Sequence, residues 1–238
     1  MAQTIFHPAA TRFHAAYGWL DAYRSFSSSA LDPTRQRAFG ALQVLNNDTV
    51  AAGQGFGTHP HQQMEIITIP LAGALQHQDS LGHRVVIGPH EVQLMSAGTG
   101  ISHSERNHSA QYPVNFLQIW LTTDQPQAPP RYDQQYFAPE NRHNQLLQVA
   151  SPSPDDAGVW LRQQAWLYMG SLDAGFATTY QVKNAGNGVY VLVLQGEVIL
   201  NGQVLRQHDG LGSWNVDELD LRATSPAEVL VLDVPMQA

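Results

Sequence analysis

Residues 69–100 of the chain read IPLAGALQHQDSLGHRVVIGPHEVQLMSAGTG. Short apolar runs alternate there with glycine-containing turns, which is the pattern of antiparallel β-strands joined by tight connections. Residues 191–214, VLVLQGEVILNGQVLRQHDGLGSW, repeat the same order of strand, glycine turn, strand, glycine-containing turn and strand. The shared rhythm predicts a duplicated β-sandwich or small β-barrel.

The rest of the chain continues this pattern. Runs rich in Val, Ile, Leu, Tyr and Trp recur between turn residues, whereas long amphipathic helical stretches are hard to find. The predicted strands are 65–71, 84–87, 91–95, 114–121, 188–194, 197–200 and 228–234. Asn201-Gly202 is the strongest hairpin signal, because both residues tolerate the left-handed backbone of a two-residue turn. We therefore predict an all-β fold.

Two loop-like stretches mark the middle of the chain. Residues 122–130 lack apolar periodicity and contain three prolines, which favours a connector between domains. Residues 151–156 form a second such stretch, and residues 140–149 between them could form a short strand or a turn. We place the domains at 1–130 and 131–238, with the boundary defined to about ten residues.

Composition restricts the classes of function. Hydrophobic residues make up 43% of the 238 residues, so a substantial core can form, and the net charge of -8 argues against a nucleic-acid binder. There is no cysteine, so a metal would have to be held by nitrogen and oxygen. Neither a signal segment nor an apolar run of membrane-spanning length is present, and we expect a cytoplasmic protein.

Two short patterns supply potential metal ligands. Residues 57–67, GTHPHQQMEII, place His59 and His61 one residue apart, and Glu65 has the same strand parity. About forty residues later His103 and Glu105 form a second pair with alternate spacing. If the two strands lie side by side, these side chains converge on one cavity, and parity alone leaves open which carboxylate joins the imidazoles.

Imidazole and carboxylate ligands without thiolate suit Fe(II), Mn(II), Ni(II), Cu(II) or Zn(II). Four protein ligands would leave two positions of an octahedral ion open, which favours a reactive centre over a structural one. A single histidine is more often a surface or core residue than a ligand. We assign the remaining isolated histidines to that class: His7, His14, His83, His90, His108, His143 and His208.

Two further groups have a structural and a functional interpretation. His77 and Asp79 precede a turn, where Asp79 and Ser80 are expected to make local hydrogen bonds, although a place in a pocket wall is the alternative. The large aromatic residues are expected to pack in the core, with one or two lining an aromatic substrate pocket as the alternative. They include Trp19, Phe26, Trp120, Trp160 and Trp166.

These motifs resemble the cupin superfamily, and pirin in particular. The first cupin motif is matched by Gly53, His59, His61, Glu65 and Gly73, the last of these displaced by one position. The second motif is matched by Gly100, His103 and Asn107, with Gly98 where proline is usual. Pirin-like features are HPH followed by Glu65, HQDSLG, MSAGTGISHSERN and the N-terminal GWLDAYRSFS, so the likeness to bacterial pirin-like bicupins extends over the chain.

The resemblance implies two tandem cupin β-barrels or sandwiches, with a metal site in the N-terminal domain and none in the C-terminal domain. It implies that the ligands are His59, His61, His103 and Glu105, and that Glu65 lies near the site without binding the metal. The implied cofactor is one divalent transition metal, with Fe(II) as the first expectation and Mn, Ni, Cu, Co or Zn as alternatives.

The activity that the resemblance implies is that of a quercetin 2,3-dioxygenase, which opens a flavonol ring with O₂ and releases carbon monoxide, with Glu105 also acting as a base. An alternative is a non-enzymatic, iron-binding regulator that responds to redox state through contacts with a basic protein partner. A sugar isomerase ranks last, because Lys183 is the single lysine available as a base. We expect a monomer, with neither nucleic acid nor membrane as a partner.

Overall fold

The computed structural model describes residues 1–26 and 38–237. Its strands, numbered in chain order, are β1 (Gln3–His7), β2 (Phe13–Ala16), β3 (Leu20–Arg24), β4 (Leu42–Val50), β5 (Gly55–His61), β6 (Met64–Ala72), β7 (Leu75–Asp79), β8 (Arg84–Ile87), β9 (Glu91–Ser96), β10 (Ile101–Asn107), β11 (Val114–Thr122), β12 (Arg131–Tyr136), β13 (Leu146–Ser151), β14 (Val159–Trp160), β15 (Trp166–Leu172), β16 (Ala177–Gln181), β17 (Asn187–Gln195), β18 (Glu197–Leu200), β19 (Gln203–Arg206), β20 (Gly210–Trp214), β21 (Glu218–Ala223) and β22 (Ala227–Pro235). Two short 3-10 helices occupy Ala9–Thr11 and Pro139–Arg142.

The strands form the same pair of sheets twice. The N-terminal half contains a seven-stranded sheet, β2-β3-β4-β11-β6-β9-β12, and a four-stranded sheet, β5-β10-β7-β8. The C-terminal half contains a seven-stranded sheet, β1-β20-β17-β22-β15-β13-β14, and a four-stranded sheet, β16-β21-β18-β19. The predicted all-β, two-domain cupin architecture is therefore confirmed.

Each predicted strand falls within or on an observed one. The Asn201-Gly202 hairpin is also confirmed, since β18 and β19 pair across it and both turn residues have positive φ, 47° and 84°. The stretch from 140 to 149 contains both a helical turn and the start of β13.

The two halves exchange strands at their ends. β1 pairs with β20 in the C-terminal sheet, whereas β12 pairs with β9 in the N-terminal sheet. A division of the sequence at residues 130 and 131 thus separates β12 from the sheet to which it is hydrogen-bonded. The exact boundary stays a prediction, and the exchange ties each domain to the other by backbone hydrogen bonds.

Among the described residues, the largest apolar cluster lies between the two seven-stranded sheets. Ile67 and Ile69 of β6 belong to it from one side, and Leu230 and Leu232 of β22 from the other. Alternate residues of β6, such as Ile66, point instead into the N-terminal barrel. Both faces of β6 are therefore covered, which explains its nearly continuous apolar sequence.

The large aromatic residues have more than one role. Phe26 is buried in the interdomain cluster, and Trp19, Trp120 and Trp166 are partly buried against apolar clusters, as predicted. Trp160 lies outside these clusters under the guanidinium of Arg131, whose Cζ is 4.4 Å from the ring centroid.

Candidate metal centre

Three histidines converge on the four-stranded sheet of the N-terminal domain. β5 and β10 pair in antiparallel register, which places His59 directly opposite His103 and His61 opposite Ile101. The Nε2 atoms of His59 and His103 are 3.0 Å apart, and one ring nitrogen from each of the three histidines lies within 4.8 Å of the others. Within residues 1–26 and 38–237 this is the one group of three or more potential metal ligands.

The local sequence explains this convergence. β5 is an edge strand, and Pro60 pairs there with Ser102 of β10. An edge strand tolerates proline, because the N–H group that proline lacks is not needed on the open side of the sheet. His59 and His61 share a face because they are two residues apart in extended backbone. The strand pairing then adds His103 from the neighbouring strand, as the two motifs predicted.

Hydrogen bonding and burial leave ring nitrogens of these imidazoles free to bind a metal. His59 Nδ1 donates to the carbonyl oxygen of Gly57 at 2.8 Å, which leaves its Nε2 as the lone-pair nitrogen. Burial, followed by the charge of neighbouring histidines, lowers the pKa of His61 to about 4 and that of His103 to about 2. Among the described residues, neither His61 Nε2 nor His103 Nδ1 has a hydrogen-bond partner.

These features fit a metal ion. Two nitrogens bound at about 2.1 Å in adjacent positions of one octahedral ion are about 3 Å apart, which matches the separation of His59 Nε2 and His103 Nε2. In the absence of an ion, His103 Nε2–H can donate to the lone pair of His59 Nε2 at this distance, so the same pair of nitrogens accommodates a proton or a metal. The donor set is nitrogen with carboxylate nearby, which suits divalent first-row metals.

Glu105 lies two residues beyond His103 but outside the group of three nitrogens. A β-bulge between His103 and Glu105 shifts the register, so that Glu105 faces Phe56 across the ladder. Its carboxylate is buried, and it accepts hydrogen bonds from Gln118 Nε2 at 2.9 and 3.1 Å and from Thr68 Oγ1 at 3.3 Å. Whether Glu105 also binds the metal stays a prediction.

Burial raises the pKa of Glu105 to about 7, although its hydrogen bonds to Gln118 and Thr68 oppose the rise. A carboxyl group with a pKa near neutrality can both release and accept a proton under physiological conditions.

Glu65 points away from the histidines, contrary to the parity argument. Gln63 has a positive φ of 55° between β5 and β6, which breaks the alternation that would have aligned Glu65 with His61. The Glu65 carboxylate accepts hydrogen bonds from Ser96 Oγ at 2.6 Å and from the backbone N–H of Arg162 at 3.2 Å. Glu65 lies on the same face of β6 as Ile67, which belongs to the interdomain cluster.

The HQDSLG hairpin has both of the roles considered for it, local hydrogen bonds in a turn and a wall beside the histidine cluster. Asp79 Oδ1 accepts the backbone N–H groups of Leu81 and His83 at 2.9 and 3.1 Å, as predicted for a turn residue. The His77 ring is buried, and its centroid is 5.4 Å from that of His103. His77 therefore forms a wall beside the histidine cluster, where its Nε2 contacts Asp79 Oδ2 at 3.2 Å.

Sequence reasoning missed two residues beside the cluster, Gln118 and Thr68, which lie within hydrogen-bond distance of Glu105. Trp120, expected in the core or in a pocket wall, lies edge-on to His61 with ring centroids 4.9 Å apart. A glutamine within the apolar run of β11 was the available signal for Gln118, because a buried polar side chain needs a partner.

None of the other histidines joins the cluster: His7, His14, His83, His90, His108, His143 and His208 all lie outside the group of three. His83 contacts Asp79 Oδ2 through Nδ1 at 2.8 Å. In the described part of the chain, no helix is long and apolar enough to span a membrane.

The fold and the site define a two-domain cupin whose N-terminal domain carries a histidine cluster suited to a metal. The model of the family Pirin matches residues 7–121, and the model of the quercetinase C-terminal cupin domain matches residues 148–234. The chain belongs to the pirin family, as the sequence motifs predicted.

Curated relatives extend over nearly the whole chain. It is 38% identical to a protein of Escherichia coli K12 named quercetin 2,3-dioxygenase, across 94% of this chain and 95% of the relative. It is 37% identical to a putative quercetin 2,3-dioxygenase of Pseudomonas aeruginosa, across 93% and 95% of the two chains. A Caulobacter vibrioides relative with 36% identity, covering 92% of this chain and 94% of its own, is named pirin-like protein.

A solved structure of a pirin supports the same family assignment. The bacterial pirin YhhW of Escherichia coli in complex with nickel(II) superposes with a TM-score of 0.91 at 38% identity, covering 98% of this chain and 99% of that one. That complex and the three-histidine group together support a divalent metal in this family member.

Proposed function

We propose that this protein is a metal-dependent dioxygenase that opens the ring of quercetin-type flavonols with O₂ and releases carbon monoxide. The observation that carries the proposal is the cluster of His59, His61 and His103, with the buried carboxyl group of Glu105 two residues beyond His103 on the same strand. Relatives at 37 and 38% identity that are named quercetin 2,3-dioxygenase, one of them as putative, support it.

His59, His61 and His103 would hold the metal, with Glu105 as the fourth ligand. The bound metal would supply a Lewis acid for the oxygen of the flavonol 3-hydroxyl and a redox-active site for O₂. Fe(II) is our first proposal for the ion, and metal analysis of protein purified from its own host tests it. One chain provides every residue of this site, which is consistent with the proposed monomer.

The protein's own contribution to the reaction is proton transfer and orientation. We assign to Glu105 the removal of the proton from the substrate 3-hydroxyl, because burial raises its pKa to about 7. Gln118 fixes the carboxylate through hydrogen bonds to both of its oxygens, and Thr68 Oγ1 lies within hydrogen-bond distance of Glu105 and Gln118, so that the base does not have to be ordered when the substrate enters.

Trp120 offers an aromatic surface beside the cluster. Its ring is partly buried and lies edge-on to His61, with centroids 4.9 Å apart. We propose that the flavonol rings pack against Trp120 while the 3-hydroxyl is directed to Glu105.

Aerobic incubation of the metal-loaded protein with quercetin tests the activity. We expect the flavonol absorbance to disappear and carbon monoxide to be captured by reduced myoglobin in equal molar amount. Protein stripped by a chelator is the control, as is the His103→Ala variant. Bleaching no faster than in the stripped protein would overturn the proposal.

The Glu105→Gln variant separates the two roles of this residue. Glutamine preserves the shape of the side chain but cannot accept the proton as a carboxylate does. We expect turnover to fall by a larger factor than metal content. Equal losses of both would remove the role as a base and leave a ligand.

A further inference from the structure

A cavity lies between the two domains, away from the histidine cluster. Its volume is about 570 Å³, within the range of small-molecule sites, and neither the three clustered histidines nor Glu105 line it. Both domains contribute apolar side chains to its wall: Ile69, Leu71, Phe137, Leu147, Met169 and Leu194. The interface between domains is a common position for such sites.

Two histidines enter this cavity from equivalent turns of the duplicated domains. His90 precedes β9 and His208 precedes β20, and both have positive φ, 67° and 69°. Each is followed by an acid that accepts the backbone N–H three residues before it: Glu91 from Gly88, and Asp209 from Arg206. Left-handed backbone at a residue other than glycine is costly, and it is concentrated at functional sites.

Several polar side chains of the cavity wall have nitrogen atoms without a hydrogen-bond partner. In the described residues, the buried polar atoms of this wall that have no hydrogen-bond partner are Arg12 Nε, Arg12 Nη1, Arg142 Nε and His208 Nδ1. No side-chain oxygen of the described wall belongs to that set. Arg12 is only 7% exposed, so its guanidinium lies where an unmatched N–H group is costly.

The carboxylates of the wall are already engaged. Glu91 accepts from Gly88 N through Oε2 and from Gln134 Nε2 at 2.9 Å through Oε1. Glu228 pairs with Arg142 Nη2 at 3.4 Å. The wall therefore offers unused donors beside apolar surface, and the complementary ligand has acceptor oxygens attached to an apolar body.

We propose that this interdomain cavity is a binding site for a small organic carboxylate with an apolar body. The carboxylate is held by Arg142 and Arg12, whose guanidinium groups match its planar geometry. The apolar body lies against Leu147, Phe137 and Leu194, which come from both halves of the chain. The proposal is independent of the dioxygenase activity, because no predicted ligand of the metal lines the cavity.

Isothermal titration with 1-naphthoate tests the site, with the neutral 1-naphthalenemethanol as the comparison ligand. All proteins carry His103→Ala, so that a carboxylate cannot bind at a metal in the N-terminal domain. We expect saturable binding of one 1-naphthoate per chain, and binding of the alcohol weaker by about ten-fold or more, because charge-assisted hydrogen bonds are lost.

Two variants locate the binding within the cavity. Leu147→Trp fills the space and is expected to abolish binding, whereas Arg142→Met is expected to weaken it about ten-fold. Arg84→Met is the matched control, because Arg84 is exposed and lies outside the cavity. Cooperative thermal unfolding of each variant shows that it is folded. If Leu147→Trp does not fold, the affinity of Arg142→Met for 1-naphthoate decides whether the ligand binds in the cavity.

Several results would overturn the proposal. They are the absence of saturable 1-naphthoate binding, equal affinity for the acid and the alcohol, and unchanged affinity in Arg142→Met. A loss in Arg84→Met as large as that in Arg142→Met would show a general charge effect and would also overturn it. None of these outcomes bears on the quercetin assay, so the two proposals fail separately.

Discussion

Gln118 donates hydrogen bonds to both carboxylate oxygens of Glu105, at 3.1 Å to Oε1 and 2.9 Å to Oε2. These bonds stabilise the ionised carboxylate inside the barrel and hold the pKa of Glu105 below the value that burial alone would give. The variant Gln118→Leu removes the one donor, Nε2, that makes both bonds. We expect the acidic limb of the profile of quercetin turnover against pH to move upward by about one pH unit, because a hydrogen bond to a charged group contributes about 1.5 kcal/mol or more.

Thr68→Val is the graded control for this prediction. The Thr68 hydroxyl has one proton, for which Gln118 Oε1 at 3.0 Å and Glu105 Oε1 at 3.3 Å compete, so its loss should move the acidic limb in the same direction by less. A Gln118→Leu protein that loses activity without any shift of the limb would show that Gln118 has only a structural role.

Metal affinity should depend on pH through Glu105. His61 and His103 have pKa values of about 4 and about 2, so they hold no proton to be displaced above pH 5. Glu105, with a pKa of about 7, must lose its proton if it binds the metal. We therefore expect nickel(II) affinity to rise by up to about ten-fold per pH unit below pH 7 and to level off above it.

Competition with a chromogenic chelator between pH 5.5 and 8 measures this dependence. In Glu105→Gln the side chain has no proton to release, and the curve should be flatter than in the wild-type protein. Parallel curves for the two proteins would contradict the assignment of Glu105 as a ligand.

Much of the metal centre could be predicted from the sequence because its determinants are local. Alternate spacing within a strand places His59 and His61 on one face, whatever the rest of the chain does. The glycine turns and apolar runs likewise predicted strands such as β6 and β11 nearly to their ends. These features depend on the two-residue period of a strand and on the residues of the turns, and both are determined by a few neighbouring positions in the sequence.

The features that the sequence did not predict are those decided by one residue or by a distant partner. The positive φ of Gln63 directs Glu65 to Ser96 and Arg162, and no rule of parity foresees such a break. Gln118 meets Glu105 through the packing of two sheets, since the residues lie on β11 and β10 of different sheets. The exchange of β1 and β12 between halves is also a matter of tertiary pairing, which local propensity does not contain.

Phe39 couples the two domains through close contact with a glycine of the other half. A Cβ atom added to Gly212 would lie 2.4 Å from Phe39 Cε2, and both residues are buried. We expect Gly212→Ala to lower the free energy of unfolding by about 1 to 3 kcal/mol, since the packed interior cannot relax freely. Chemical denaturation measures the change.

A double-mutant cycle with Phe39→Leu tests the cause of that loss. The smaller side chain leaves room for the new methyl group, so Gly212→Ala should cost less in the Phe39→Leu protein. Gly57→Ala is the matched control, because a Cβ there meets no atom within 4 Å. Additive effects of the two substitutions would show that strain elsewhere explains the loss.

Asp48 is a buried carboxyl group whose ionisation opposes folding at neutral pH. It is 5% exposed, and its Oδ1 has no hydrogen-bond partner among the described residues. Burial raises its pKa from 3.8 to about 7, despite the attraction of Arg24 and Arg12, and the charge of Glu105 adds to the rise. The folded state therefore retains a proton that the unfolded chain loses between pH 4 and 7, and stability falls as the pH rises through that window.

The variant Asp48→Asn removes this dependence while preserving the shape of the side chain. We expect it to be more stable than the wild-type protein at pH 8, by up to about 4 kcal/mol, and the gain to shrink toward zero near pH 4. Urea denaturation at a series of pH values measures the difference in the free energy of unfolding. A variant that is less stable than the wild type at pH 8 would show that ionised Asp48 is held by Arg24 strongly enough to offset its burial.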